Sequence, residues 1–181
     1  MLATLGALTN RQTRVWRDEE QLLRHAVDVT HDNWFARGYL GSILLRQGRQ
    51  EEASVHLEEA FRIEPDFLET ARSLAELRRR QGRHAEAAAL DRRIVLNLPW
   101  DAGARHALGR DLEGLGRTAE ALREYKKATR LDPKFAAPRI ALGRILLAGG
   151  RRDEGCACFA DALRSEPGGP EAMGLLATSC R

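Results

Sequence analysis

The sequence predicts an all-α fold, a right-handed superhelical solenoid of antiparallel helix hairpins with four full repeats and partial repeats at both ends. The prediction rests on a period of 34 residues that several residue types share. Proline recurs at Pro65, Pro99, Pro133 and Pro167, glycine at Gly48, Gly82, Gly116 and Gly150, and leucine at Leu40, Leu74, Leu108 and Leu142. A fixed period of this length is typical of helical repeat arrays, because one hairpin alone cannot bury its apolar side.

The first repeat shows how each element is predicted. Between Asn33 and Gln47 the apolar residues lie on one face of a helix. Gly48 is suited to ending that helix, because glycine readily adopts the left-handed conformation. A second apolar-faced helix follows, and Pro65 ends it because proline has no backbone N–H to donate. The connection is short, so the two helices are expected to pack antiparallel.

The same period divides the whole chain. We expect an N-terminal cap and partial repeat at 1–33, four repeats at 34–67, 68–101, 102–135 and 136–169, and a C-terminal capping helix at 170–181. Repeat two has Asp91 where the other repeats have Leu57, Tyr125 and Phe159. We therefore expect its hairpin to be the least tightly packed, with a core supplied by Leu77, Leu90, Ile94 and Val95.

The repeated positions resemble the tetratricopeptide repeat, whose signature is W-x2-L-G-x2-Y, then A-x3-F, then P. The Leu-Gly step occurs at Leu40-Gly41, Leu108-Gly109 and Leu142-Gly143, the alanine at Ala53, Ala87 and Ala121, and the proline in all four repeats. The Trp position departs from the signature and holds arginine or alanine. The resemblance implies that the first helix of each hairpin lines a concave groove, which holds a protein or peptide segment.

Groove residues follow from the resemblance alone. In repeat one the inward positions hold Phe35, Gly38, Ser42 and Leu45. The candidate groove residues of the chain are Ser42, Arg72, Glu76, Arg79, His106, Arg110, Glu113 and Arg144. Arg72, Arg79, Arg110 and Arg144 could form a guanidinium ladder for the carboxylates of an acidic peptide. Glu76 and Glu113 could equally neutralise them within a solvated face, and both interpretations remain open.

Composition and motifs exclude several function classes. With 43% hydrophobic and 30% charged residues the chain is globular, and at a net charge of +3 with interleaved acidic residues it has no basic stripe for nucleic acid. No apolar run is long enough to span a membrane. No phosphate-binding loop, dinucleotide fingerprint, zinc-protease motif or nucleophile elbow occurs, so we predict no enzyme activity, no metal and no cofactor.

The three cysteines are Cys156, Cys158 and Cys180. An odd count with two cysteines one residue apart does not suggest a disulfide framework. We therefore expect small unpaired residues in a reducing compartment.

Our leading hypothesis is a non-catalytic protein–protein interaction module, cytoplasmic by default. A second resemblance favours an alternative. The run from Thr9 to Asp18, followed by Leu22, His25-Ala26 and Asn33-Trp34, is similar to the junction of membrane proteins in which a multi-span glycosyltransferase-like part precedes a tetratricopeptide tail. It implies a structural or self-associating soluble tail, periplasmic or membrane-tethered if it belongs to a larger membrane protein. Separately, the chain could form a homodimer through its terminal helices.

Overall fold

The computed structural model describes residues 19–180, and that part of the chain forms ten α-helices and no strand. The helices are α1 (Glu19–Val29), α2 (Trp34–Arg46), α3 (Gln50–Ile63), α4 (Leu68–Arg80), α5 (His84–Asn97), α6 (Ala102–Gly114), α7 (Thr118–Leu131), α8 (Ala136–Ala148), α9 (Arg152–Ser165) and α10 (Pro170–Ser179). The predicted all-α fold of helix hairpins is confirmed. The part of the predicted N-terminal cap within residues 1–18, and any dimer contact made by it, lie outside the described residues.

The described chain divides into two compact units, residues 19–77 and 78–180, with the division inside α4. In the N-terminal unit α2 packs against α1 and α3. Its core contains Leu40, Leu44 and Leu57, each fully buried. Polar contacts also hold α1, because Glu20 accepts hydrogen bonds from Gln47 and Arg49 at 2.9 and 2.8 Å.

In the C-terminal unit each helix packs against the next along the chain, from α5 to α10. One apolar cluster surrounds the fully buried Tyr125 and includes Leu108 and Leu142. A second surrounds Phe159, and Ala172 of α10 completes it. The division into terminal caps and four repeats stays a prediction.

Glycine serves two separate purposes in the hairpins. The four periodic glycines that follow the first helices have φ between 70° and 82°, the left-handed region that the sequence predicts for them. Gly41 and Gly109 serve a steric purpose instead. A Cβ on Gly41 would lie 2.6 Å from Leu57, and one on Gly109 would overlap the ring of Tyr125. The Leu-Gly step of the signature therefore exists because the second helix of the hairpin places a large side chain there.

The prediction of unpaired cysteines is wrong for two of the three. Cys156 of α9 forms a disulfide with Cys180, which follows α10, with the two Cα atoms 5.8 Å apart. The spacing of Cys156 and Cys158 concerns neighbours on one helix, whereas α10 folds back on α9 and brings together two cysteines that are 24 residues apart. Cys158 is a free, half-buried thiol whose pKa burial raises.

No helix within residues 19–180 has the length and apolar character that a membrane span requires.

Candidate binding site

A cavity of about 300 Å³ in the C-terminal unit brings together half of the candidate groove residues. His106, Arg110 and Glu113 of α6 line it at intervals of four and three residues, so they share one face of that helix. Arg144 of α8 stands on another wall. The remaining lining residues are Tyr125, Ala137, Ile140, Ala141 and Glu171. The sequence did not predict Tyr125 or Glu171 as part of the site, because the inward positions of the family lie only on the first helix of each hairpin.

The cavity contains one connected set of polar groups. Tyr125 Oη donates a hydrogen bond of 2.9 Å to Glu113 Oε2, and burial together with this carboxylate raises the pKa of Tyr125. Arg144 lies 3.9 Å from Glu113 and 3.4 Å from Glu171. The carboxylates of Glu113 and Glu171 thus share the guanidinium of Arg144. Because both carboxylates are partly exposed, these ion pairs contribute little to the stability of the fold.

Arg110 differs from its neighbours, since it is exposed and forms no ion pair with any carboxylate of residues 19–180. It still acts electrostatically on the cavity. Burial, and secondarily the charges of Arg110 and Arg79, lower the pKa of His106 to about 4. At neutral pH His106 is therefore an uncharged imidazole, with its ring 5.6 Å from Tyr125 and 5.2 Å from Phe135.

A second and mostly apolar cavity of about 670 Å³ shares Glu113 and Arg144 with the first. Its apolar walls come from Leu122 of α7 and from Ile145 and Leu146 of α8. Thr118, Ala148, Gly149 and Arg151 complete the lining. The shared ion pair therefore stands between a polar cavity and an apolar one.

Arg79 does not join the other candidates, and its predicted place in a guanidinium ladder needs correction. Its side chain is only 8% exposed, and it binds Asp91 at 2.7 Å and Asp111 at 2.8 Å, whose side chains are 3% and 0% exposed. His84 lies 3.5 Å from Asp111 as well. Arg79 is thus the counter-charge of two buried carboxylates in the core.

A signal for this cluster was present in the sequence. Asp91 occupies the periodic position of a large apolar side chain, and Asp111 occupies the position that Ile43, Leu77 and Ile145 hold in the other repeats. Two acidic residues at core positions require a buried cation or hydrogen-bond donors nearby. That requirement, applied to the period, points to Arg79.

The remaining candidates lie in the N-terminal unit. Ser42 lines a cavity of about 230 Å³ and donates a hydrogen bond of 2.8 Å to the carbonyl of Tyr39. Arg72 and Glu76 belong to α4, where Arg72 lies 3.9 Å from Glu69 of the same helix. Aromatic rings flank this cavity, and apart from Phe35 the sequence did not single them out. Within residues 19–180 no group of three histidine, cysteine or acidic side chains could hold a metal ion.

Helix hairpins in which each helix packs against the next within its unit define a fold of the helical-repeat class. Comparison with known families is consistent with that class. Residues 112–178 match the family model described as tetratricopeptide repeat, and residues 44–135 match that of the bacterial transcriptional activator domain. The chain belongs to the tetratricopeptide repeat family and to the family of the bacterial transcriptional activator domain, whose models together match residues 44–178.

Individual known proteins are similar to this chain over different fractions of its length. The protein O-mannosyl-transferase Tmtc2 of Drosophila melanogaster is 42% identical over 69 residues, which is 38% of this chain and 7% of the length of that relative. Among solved structures, MamA from residue 41 to its end, of Desulfovibrio magneticus RS-1, has a TM-score of 0.78 at 17% identity and covers 90% of this chain and 94% of its own. YrrB, a TPR protein with an unusual peptide-binding site, has a TM-score of 0.76 at 19% identity, with 97% and 88% covered. At these identities the two structures show the shared fold.

Proposed function

We propose that the chain is a non-catalytic interaction module and that its C-terminal unit binds an acidic segment of a partner protein. The observation that carries the proposal is Arg110, an exposed guanidinium on the cavity wall without a carboxylate partner in the described chain. A guanidinium binds a carboxylate through two parallel hydrogen bonds, which gives both affinity and orientation. YrrB offers a precedent for peptide binding on this fold.

The rest of the cavity is compatible with such a ligand. Arg144 is held at 3.4 Å or more by two partly exposed glutamates, so an incoming carboxylate can compete for it at little cost. Glu113 keeps its hydrogen bond from Tyr125 in that case and is not left without a partner. The uncharged imidazole of His106 can donate a further N–H.

The neighbouring apolar cavity refines the expected ligand. It shares Arg144 with the polar cavity and has walls of Leu122, Ile145 and Leu146. A segment with an aspartate or glutamate close to a leucine, isoleucine or methionine would satisfy both cavities. Burying such an aliphatic side chain stabilises a complex by about 1.5–3 kcal/mol.

The test compares two charge reversals on the full chain. Fluorescent peptides that combine one acidic and one aliphatic residue at varied spacing are titrated by anisotropy. Arg110→Glu should weaken the best peptide by roughly tenfold to a hundredfold, because a charge-assisted hydrogen bond is lost and a repulsion is added. Arg123→Glu is the matched control, since Arg123 is an exposed arginine of α7 outside both cavities. Equal weakening by both variants would reject the assignment of the site.

Two observations favour a second function, in which the chain is the tail of an O-mannosyl-transferase-like membrane protein. The match to Tmtc2 is 42% identical over 69 residues, and the Cys156–Cys180 disulfide is of a kind that persists in oxidising compartments. Fractionation of the source cells with an antibody against this chain tests it. A membrane-bound band far above 20.2 kDa is expected under this function, and a free 20.2 kDa band would contradict it.

Self-association through the terminal helices belongs to the same second function. In the described chain α10 leaves Met173 exposed next to the partly buried Leu175 and Leu176. Light scattering over a range of concentrations should then show a dimer that Met173→Glu abolishes. A monomer at all concentrations would contradict self-association.

A further inference from the structure

Four aromatic side chains form one patch in the N-terminal unit. The ring centroids of Phe35 and Tyr39 are 4.6 Å apart, and Phe67 lies 6.2 and 6.3 Å from these two rings. Trp34 joins the patch at 4.9 Å from Phe67. The chain has three tryptophans, two tyrosines and five phenylalanines, so a large part of its aromatic residues meets here. We call these four residues the aromatic patch.

The fold itself does not require the patch. The positions equivalent to Phe35 in the later repeats hold Glu69, Gly103 and Ala137. Those equivalent to Tyr39 hold serine or alanine, and those equivalent to Trp34 hold leucine or alanine. Hairpins of the same period thus form with small or polar side chains at these sites. Phe35 and Tyr39 also remain 50% and 38% exposed, although burial is the usual reason for an aromatic residue.

Charged side chains lie next to the aromatic patch. Tyr39 and Phe67 line the cavity of about 230 Å³ together with Glu69, which lies two residues after Phe67 in the sequence. The ion pair of Glu69 is with Arg72 at 3.9 Å, between two exposed side chains of one helix, and such pairs exchange readily. Arg46 and Glu19 also line the cavity. The Cα of Arg46 lies about 10 Å further along α2 than that of Tyr39, so the cavity has a cation toward one end and the carboxylates of Glu69 and Glu19 besides.

We propose that the aromatic patch receives a lysine or arginine side chain of a protein partner, with Glu69 as its counter-ion. The negative faces of aromatic rings attract cations, and a guanidinium also stacks on a ring. Glu69 supplies a carboxylate that lines the same cavity as Tyr39 and Phe67, and its long pair with Arg72 can exchange for the incoming cation. This site goes beyond the proposed function, because its ligand has the opposite charge and the residues belong to the other unit.

The experiment uses two blocked tripeptides, glycine–arginine–glycine and the same peptide with citrulline. Citrulline keeps the shape of arginine and lacks its charge. Each peptide is titrated into the full chain while the side-chain NMR signals of Phe35, Tyr39 and Phe67 are followed. The arginine peptide should shift these signals in a saturable way, and the citrulline peptide should bind at least about threefold more weakly.

Variants assign the binding to the patch. Tyr39→Leu and Glu69→Gln should each weaken the arginine peptide by about threefold to tenfold, the second more strongly at low salt. Trp100→Leu, at an exposed aromatic residue elsewhere, should leave the binding unchanged. Circular dichroism checks that each variant stays folded. Equal shifts with citrulline, or no shift of the patch signals because another surface covers the rings, would overturn the proposal.

Discussion

Replacing Arg79 by leucine should destabilise the C-terminal unit strongly, because the change leaves two buried carboxylates without their counter-charge. Arg79 donates hydrogen bonds of 2.8 and 3.0 Å to the two oxygens of Asp111, and one of 2.7 Å to Asp91. Hydrogen bonds to charged groups contribute about 1.5–3 kcal/mol each, which sets an upper range of about 4–9 kcal/mol. Removing one partner of a buried ion pair typically costs about 3–5 kcal/mol. We expect the lower range, because a carboxylate can take up a proton or a water molecule instead of remaining charged and dry.

A control for this change comes from the other repeats. The periodic equivalents of Arg79, Asp91 and Asp111 in repeat one are Leu45, Leu57 and Ile43, all buried. The triple replacement Arg79→Leu, Asp91→Leu and Asp111→Ile therefore removes these three charges together and puts apolar side chains in their places. Such replacements of buried ion pairs are often neutral or stabilising by about 1–4 kcal/mol. The single variant should thus be much less stable than the triple variant.

The assay is thermal and urea unfolding followed by circular dichroism, with hydrogen exchange of α5 and α6 as a local measure. A loss of about 4 kcal/mol corresponds to a fall in midpoint temperature of roughly 8–16 °C for a chain of this size. Exchange should speed up first in the two helices that carry the carboxylates. An unfolding free energy of Arg79→Leu within about 1 kcal/mol of the wild type, or a triple variant as unstable as the single one, would refute this role of Arg79.

Three further changes should give measurable results. Because the pKa of His106 is lowered to about 4, below its ordinary value of 6.5, the unfolded chain binds this proton first. The stabilising contribution of uncharged His106 should therefore be fully present above about pH 6.5, and the free energy of unfolding should fall by up to about 3 kcal/mol towards pH 4. Urea titrations at several pH values measure this fall, which should be less steep in His106→Phe. Gly109→Ala should cost roughly 1–3 kcal/mol in the same assay, because its Cβ would overlap a buried ring, whereas Gly174→Ala, with open space around it, should be neutral or stabilising. Reducing the Cys156–Cys180 disulfide should lower stability by roughly 3 kcal/mol. Thiol titration of the unreduced, denatured protein should find one thiol, and finding three would contradict the pairing.

Much of the fold could be predicted because one period controls several physical requirements at once. Gly48 and its equivalents end the first helices with positive φ, and Pro65 and its equivalents follow the second helices. Each of these residues acts within its own turn, so local rules are sufficient. The Leu-Gly step was also readable, since Gly109 makes room for a residue of the partner helix at a constant separation.

The site was only partly predictable, because the period does not say whether a polar side chain at the edge of a helix face points to solvent or to the core. Arg79 and Glu113 occupy equivalent positions, at which repeats one and four have leucine. Glu113 lines a cavity and accepts a hydrogen bond from Tyr125, whereas Arg79 is buried and pairs with the buried carboxylate of Asp111. The difference arises from Asp111, a residue of a neighbouring helix, so no rule applied to one helix could have found it.

The capping helix shows why the ends of such a chain cannot be interpreted from the period alone. Ala172 of α10 fills the last apolar cluster, Glu171 beside it lines the polar cavity, and Cys180 after it ties the helix to α9. A side chain that covers the core and one that changes the charge of the cavity are thus adjacent in sequence. Because Glu171 pairs with Arg144, the cap also sets how much positive charge the cavity offers to a ligand. If the cavity binds the acidic segment that we propose, α10 therefore affects both the packing of the last apolar cluster and the binding, and a variant that loosens α10 should change both.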